Sequence, residues 1–242
     1  MSTAGDLAAT IRELVHANRI LAHEGVVDAF GHVSVRHPHD PQRYLLSRSR
    51  SPAIVTAPDI MEFTLEGEAV DAGGRRPYAE RPIHGAVYEM RPDVNAVVHN
   101  HAYEVVPFSV SAASPLRAVT HVSAVIGAAV PVWDIRTRFG DTNLLVVTMA
   151  QGRDLAATLG GGRVALMRGH GCVVAGRTLR EAVNTAIYLR VNAILQQQAL
   201  QLGEPQYLSP GEIERCTELQ LSAFALDRAW EYWAARAGCE NV

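Results

Sequence analysis

Near the N-terminus, Leu7, Ile11, Leu14, Val15, Ile20 and Leu21 recur at helical spacing, which predicts a helix over 6–23 that stops at Glu24-Gly25. The period then changes. Gly31-His32-Val33-Ser34-Val35-Arg36 and Tyr44-Leu45-Leu46-Ser47 read as neighbouring strands, with His37 and His39 in the polar turn between them. The stretch 61–70 reads as a hairpin turning at Glu66-Gly67. Pro82 suits the first turn of a helix carried by Ile83, Val87 and Met90 and ended by Arg91-Pro92. A strand over 95–99 follows, then another helix shortly after His101. Further strands are predicted at 129–132, 144–147, 163–167 and 172–175, with a helix over 151–159 closed by Gly160-Gly161-Gly162. Thr178-Leu179-Arg180-Glu181 spells a capping box, opening a long helix to 202. After a loop over 203–211, a final amphipathic helix is predicted over 212–235. Its apolar stripe of Leu219, Phe224, Leu226, Trp230 and Trp233 would pack on its own domain or on a neighbouring subunit.

Strands in the middle, with helices between them and at both ends, predict one α/β domain over 1–242, its helices on both faces of the sheet. No repeat, low-complexity tract or linker divides it. A 48% hydrophobic, 19% charged composition fits a folded globular chain. A net charge of −3 implies no pull toward nucleic acid or an anionic membrane. No apolar run reaches transmembrane length and the N-terminus lacks a signal-peptide pattern, so the expected location is cytoplasmic. Three widely spaced cysteines, Cys172, Cys216 and Cys239, do not form a disulfide framework. Cys172 opens an apolar run and reads as a small buried side chain rather than a ligand.

All 22 basic residues are arginine; the chain has no lysine. Schiff-base chemistry and conventional pyridoxal phosphate chemistry both need a lysine amine, so both are excluded. If this protein makes or breaks carbon–carbon bonds, a metal is the expected electron sink. The chain carries ligands for one. His99 and His101 lie at positions i and i+2 where an apolar strand ends, so both rings reach one face. His170 ends a second apolar run between two glycines, and Glu80 lies in a separate polar stretch. Three imidazoles and a carboxylate are a metal-site inventory.

At these residues the sequence resembles the class II aldolase/adducin family, over about 7–202. Glu80-x-x-x-His84 resembles its acidic motif. The run from Arg91-Pro92-Asp93 to His99-Asn100-His101 resembles its helix-to-strand segment with paired ligands. Arg168-Gly169-His170-Gly171 resembles its third-ligand motif, and Glu181-Ala182 matches the helix that follows. The resemblance implies a central mixed, largely antiparallel sheet between helices. It implies that His99, His101 and His170 hold a divalent cation, Zn2+ or Mn2+, with Glu80 as general acid/base and potential fourth ligand. It also implies a homotetramer with active sites at subunit interfaces.

Sugar-phosphate members of that family bind phosphate through elements altered here. His32 stands where they carry asparagine, Leu46-Ser47-Arg48-Ser49-Arg50-Ser51-Pro52 replaces a Thr-Pro-Ser-Gly loop, and Tyr78-Ala79 replaces serines before Glu80. Arginine suits a planar carboxylate. The overall look is similar to the subset that decarboxylates hydroxypyridine dicarboxylates and dihydroxyphthalates. The reading is a metal-dependent decarboxylase of an ortho-hydroxy aromatic carboxylate. The alternative is an aldolase on a non-phosphorylated hydroxy-carbonyl substrate. For the decarboxylase, Glu80 is the expected proton donor to the ring carbon, with His32 as the rival, and substrate contacts are expected from Ser47, Arg48, Arg50, His121 and, from a neighbouring subunit, Tyr207. His84, four residues after Glu80, is read as a packing residue, with a partner role behind Glu80 as the alternative.

Overall fold

The computed structural model describes residues 3–239. Helix α1 (Thr3–His23) leads to strands β1 (His32–Arg36), β2 (Arg43–Ser47) and β3 (Ile60–Thr64). Helix α2 (Pro82–Met90), β4 (Ala96–Asn100) and the short α3 (Val106–Val110) follow. Next come β5 (Val132–Trp133), α4 (Arg136–Phe139), α5 (Met149–Leu159), β6 (Val164–Met167) and β7 (Gly171–Gly176). Helices α6 (Leu179–Leu202), α7 (Pro210–Gln220) and α8 (Ala223–Arg236) complete the chain.

The seven strands form one sheet in the order β3-β2-β1-β4-β7-β6-β5. Every pairing is antiparallel except β5 with β6. The sheet is therefore mixed and largely antiparallel, as expected. Its two faces bury separate cores. Leu14, Ile20, Val98, Val174, Val183, Trp230 and Trp233 join α1, α6 and α8 to one face. Ile83, Val87, Val97, Leu155 and Val173 join α2 and α5 to the other. Both layers rest on strand alternation, since neighbours along a strand point to opposite faces.

Four local expectations differ from the structure. Residues 144–147 are not a strand: Leu144 adopts φ +67 and the segment loops over the candidate site. The strand read at 129–132 is reduced to Val132–Trp133. The final helix is two, interrupted at Leu221-Ser222, where Ser222 caps α8 by accepting from the Ala225 N–H. Trp230 and Trp233 bury against their own domain, while Leu219 and Phe224 stay exposed. Thr178 does cap α6 through the Glu181 N–H, but the Glu181 carboxylate turns to Arg163 and the Arg177 N–H instead of closing the box.

Candidate metal centre

The turn between β6 and β7 places His170. Gly169 sits at φ +66, a conformation glycine takes without strain, and His170 follows with its N–H donating to the Met167 carbonyl. A Cβ on Gly171 would lie 2.1 Å from the Asn100 carbonyl oxygen, so only glycine lets β7 approach β4 here. That approach brings His170 beside the end of β4, where His99 and His101 alternate with Asn100. Asn100 faces the opposite way and accepts from the Cys172 thiol at 3.2 Å. Cys172 is thus a buried packing residue whose thiol burial pushes up to about 12, not a ligand.

Glu80, His99, His101 and His170 each offer a ligand atom, all within 4.8 Å of one another. His101 Nε2 lies 3.0 Å from His99 Nε2 and 3.1 Å from His170 Nε2. One Glu80 carboxylate oxygen lies 3.5 Å from His99 Nε2 and 3.6 Å from His170 Nε2. Backbone carbonyls fix two of the rings: His99 Nδ1–H donates to Cys172 O at 3.1 Å, and His170 Nδ1–H to Leu144 O at 3.0 Å. A carbonyl only accepts, so both Nε2 atoms present lone pairs inward. Lone pairs converging in a buried site beside a carboxylate repel unless a cation lies among them, and outer carbonyls of this kind orient metal-ligating histidines. The residues therefore fit a divalent cation held by three imidazoles and Glu80.

The loop 144–147 serves the centre through its backbone. Leu144 O orients His170, and the Val146 N–H donates to Glu80 Oε1 at 2.9 Å. Burial opposes ionisation of Glu80, and only positive charge at His99 and His170, carried by protons on these rings where no cation lies among them, holds the carboxyl well below the usual range. Burial, followed by His99 and His170, lowers His101 to about 4. Each of these shifts leaves the group in the protonation state that binds metal.

Two members of the cluster, Glu80 and His101, border a cleft of about 390 Å³, lined among others by Phe30, His32, Arg50 and Tyr78. His32 opens β1 directly opposite His99, with ring centroids 5.1 Å apart. Arg50 reaches the far wall. Arg48 stands behind it, and both arginines pair with Asp59, at 2.6 Å from Arg48 Nε and 2.8 Å from Arg50. Asp59 is buried and also accepts from the Thr56 N–H and hydroxyl. Burial opposes its charge, but the Arg48, Thr56 and Arg50 contacts hold it well below the carboxylate range. Ser47 is buried at the end of β2, and the Tyr78 hydroxyl is fixed by the Arg50 backbone.

Of the five expected substrate contacts Arg50 alone lines the cleft; Ser47 and Arg48 flank it without lining it, and the other two lie elsewhere. His121 is exposed at the start of a 3-10 turn, His121–Ile126, which packs with α6 and α7 on the opposite layer. Tyr207 is on that layer too, with Arg117 over its ring and its hydroxyl accepting from Gln196. Within one chain neither lines the cleft. Asp59 carries no local signal in the sequence, and His84, expected to pack or to act as a partner behind Glu80, is a partner of His32 instead. His84 is fully buried and bonds His32 at 2.6 Å.

Residues 12–196 match the family described as the Class II Aldolase and Adducin N-terminal domain. The chain belongs to that family. Among relatives of this class II aldolase and adducin domain, a protein of Talaromyces stipitatus named decarboxylase tropJ is 30% identical, with 92% of each chain covered. A 3,4-dihydroxyphthalate decarboxylase of Arthrobacter keyseri is 30% identical over 91% of this chain and 90% of its own. In three dimensions the domain is similar to L-fuculose 1-phosphate aldolase from Glaciozyma antarctica, with TM-score 0.78 and 23% identity over 98% of this chain and 91% of that one.

Proposed function

We propose that this protein is a divalent-metal-dependent decarboxylase of an ortho-hydroxy aromatic or heteroaromatic carboxylate. The carrying observation is the four-donor cluster, which opens through Glu80 and His101 onto a cleft also lined by Arg50, itself braced by Asp59. Such a cleft suits a flat substrate with a chelating hydroxyl–carboxylate edge and a second anionic group. The names of two relatives, a dihydroxyphthalate decarboxylase and tropJ decarboxylase, support this class.

His99, His101, His170 and Glu80 would hold Zn2+ or Mn2+. The cation supplies positive charge that fixes the hydroxyl–carboxylate edge and offsets the negative charge left as CO2 departs. Arg50, with Arg48 behind it, would fix the distal carboxylate through paired N–H bonds. Once substrate takes its place beside the three histidines, Glu80 would take the substrate hydroxyl proton and return it to the ring carbon as the carbon–carboxylate bond breaks. CO2 leaves, the ring gains a hydrogen, and the hydroxyl is reprotonated from water.

The assembly we propose is a homotetramer in which a neighbouring subunit closes the cleft. Phe30 and Tyr103, 67% and 72% exposed near its rim, are the surfaces it would cover, and Tyr207 and His121 can approach the site only from such a neighbour. An aldolase acting on a non-phosphorylated hydroxy-carbonyl compound is the second reading, since the same cluster would stabilise an enediolate.

A panel of ortho-hydroxy benzene and pyridine mono- and dicarboxylates separates the two. CO2 release by the wild type but not by Glu80→Gln is the expected result. A metal-loaded protein silent on every member, yet cleaving a hydroxy-carbonyl compound, would replace this reading with the aldolase.

A further inference from the structure

Four buried side chains stand in single file behind the cleft. His32 Nδ1 lies 2.6 Å from His84 Nε2, His84 Nδ1 lies 2.6 Å from Ser34 Oγ, and Ser34 Oγ lies 2.7 Å from Tyr88 Oη. They are 3%, 0%, 0% and 1% exposed for His32, His84, Ser34 and Tyr88. Burial keeps all the titratable members neutral: it moves His32 and His84 below the ordinary histidine value, His84 to about 3, and Tyr88 above the ordinary phenol value.

A neutral file of this kind has two proton arrangements, running in opposite directions. In the first, His32 Nδ1–H donates to His84, His84 Nδ1–H donates to Ser34, and Ser34 donates to Tyr88. The phenol hydrogen of Tyr88 is then buried with no acceptor among the described residues. In the second, Tyr88 donates to Ser34, Ser34 donates to His84 Nδ1, and His84 Nε2–H donates to His32 Nδ1. Every donor inside the file is then used, as is the rule in protein interiors, and the one proton left over, on His32 Nε2, belongs to the member that borders the cleft.

The second arrangement puts the only proton of His32 on Nε2, the nitrogen with no partner among the described residues. We propose that Tyr88, Ser34 and His84 are positioning residues that lock His32 as a hydrogen-bond donor to the cleft. The group it recognises is an oxygen that only accepts: the carboxylate or ionised hydroxyl of the substrate, next to the ligand His99. The nature of that oxygen rests on the decarboxylase reading, whereas the direction of the file does not.

The test is two-bond 1H–15N correlation of zinc-loaded, 15N-histidine-labelled protein, with salicylate as probe. His32 and His84 should both appear as Nε2–H tautomers, and salicylate should shift the His32 Nε2–H. Tyr88→Phe removes the terminal donor and frees Ser34 to turn. Both imidazoles should then shift toward Nδ1–H, and salicylate should bind about tenfold more weakly, the order of one hydrogen bond to a charged acceptor. Ser34→Ala breaks the file one link earlier and serves if Tyr88→Phe does not fold. An Nδ1–H tautomer at His32 in the wild type overturns the proposal, as do unchanged tautomers in a folded Tyr88→Phe or Ser34→Ala protein. No salicylate binding overturns the recognition half. A failed decarboxylase reading shows separately, as correct tautomers with no CO2 released from any carboxylate.

Discussion

On β4, alternate residues enter two different interiors. Ala96 and Val98 join the apolar layer beneath α1 and α6, where Leu14, Ile20 and Val183 surround them. His99 faces the other way, into a layer that is apolar along α2 and α5 but becomes polar at the cleft, with His32, Ser34, His84 and Glu80 all buried. The first layer gains free energy by removing hydrocarbon from water. At the cleft, the second must satisfy every polar atom it buries, through carbonyls, the Val146 N–H, the Asp59 pairs or a bound cation. The difference teaches that stability and chemistry are assigned to opposite faces of the same strands, and the two are separable by mutation.

The largest separation is expected from His99→Ala. Metal content should fall below stoichiometry and CO2 release by about a thousandfold, with the apo protein's melting temperature little changed. Elemental analysis beside a turnover assay checks this, and full metal occupancy in the variant would remove His99 from the site. Leu14→Ala is the mirror image. A fully buried leucine on α1 should cost about 3 kcal/mol in denaturant unfolding while activity per folded molecule is kept. A loss of turnover as large as the loss of stability would couple the two faces.

A smaller effect is expected where the cleft meets its rim. Asp59→Asn removes the charge that braces Arg48 and Arg50. It should raise KM for a dicarboxylate about tenfold with little change in kcat or in KM for a monocarboxylate. Steady-state kinetics on the substrate pair decides it, and equal changes for both would make Asp59 a purely structural residue.

How much of this was legible in the sequence follows the same division. His99 and His101 could be read because strand alternation is local, and the α1 stripe because 3.6-residue spacing is local. Asp59 could not: it lies in a short irregular turn, and its importance comes from arginines on another segment. Leu144-Leu145-Val146-Val147 read as a strand because it is apolar, yet its backbone orients His170 and Glu80 instead of pairing. His84 was visible four residues after Glu80. Its bonds to His32 and Ser34 depend on the packing of α2 on β1, which no local pattern encodes.

The buried polar side of the comparison also has a signature in pH dependence. The folded His84 sits near 3, below its ordinary 6.5, so the unfolded chain gains a proton that the folded one refuses as pH falls. Its share of stability is full above 6.5 and is lost toward 3. Asp59, depressed in the folded state, adds a further loss at still lower pH. Melting temperature should decline across this window, more shallowly in His84→Gln. Equal slopes in the two proteins would show that His84 takes up its proton as freely when folded as when unfolded.

The most direct test of the central claim is CO2 release from a dihydroxyphthalate by native, chelator-stripped and re-metallated protein. The account predicts turnover in the native protein, none after stripping, and recovery when Zn2+ or Mn2+ is returned in a one-to-one ratio. Full CO2 release by protein shown to hold no metal would contradict it.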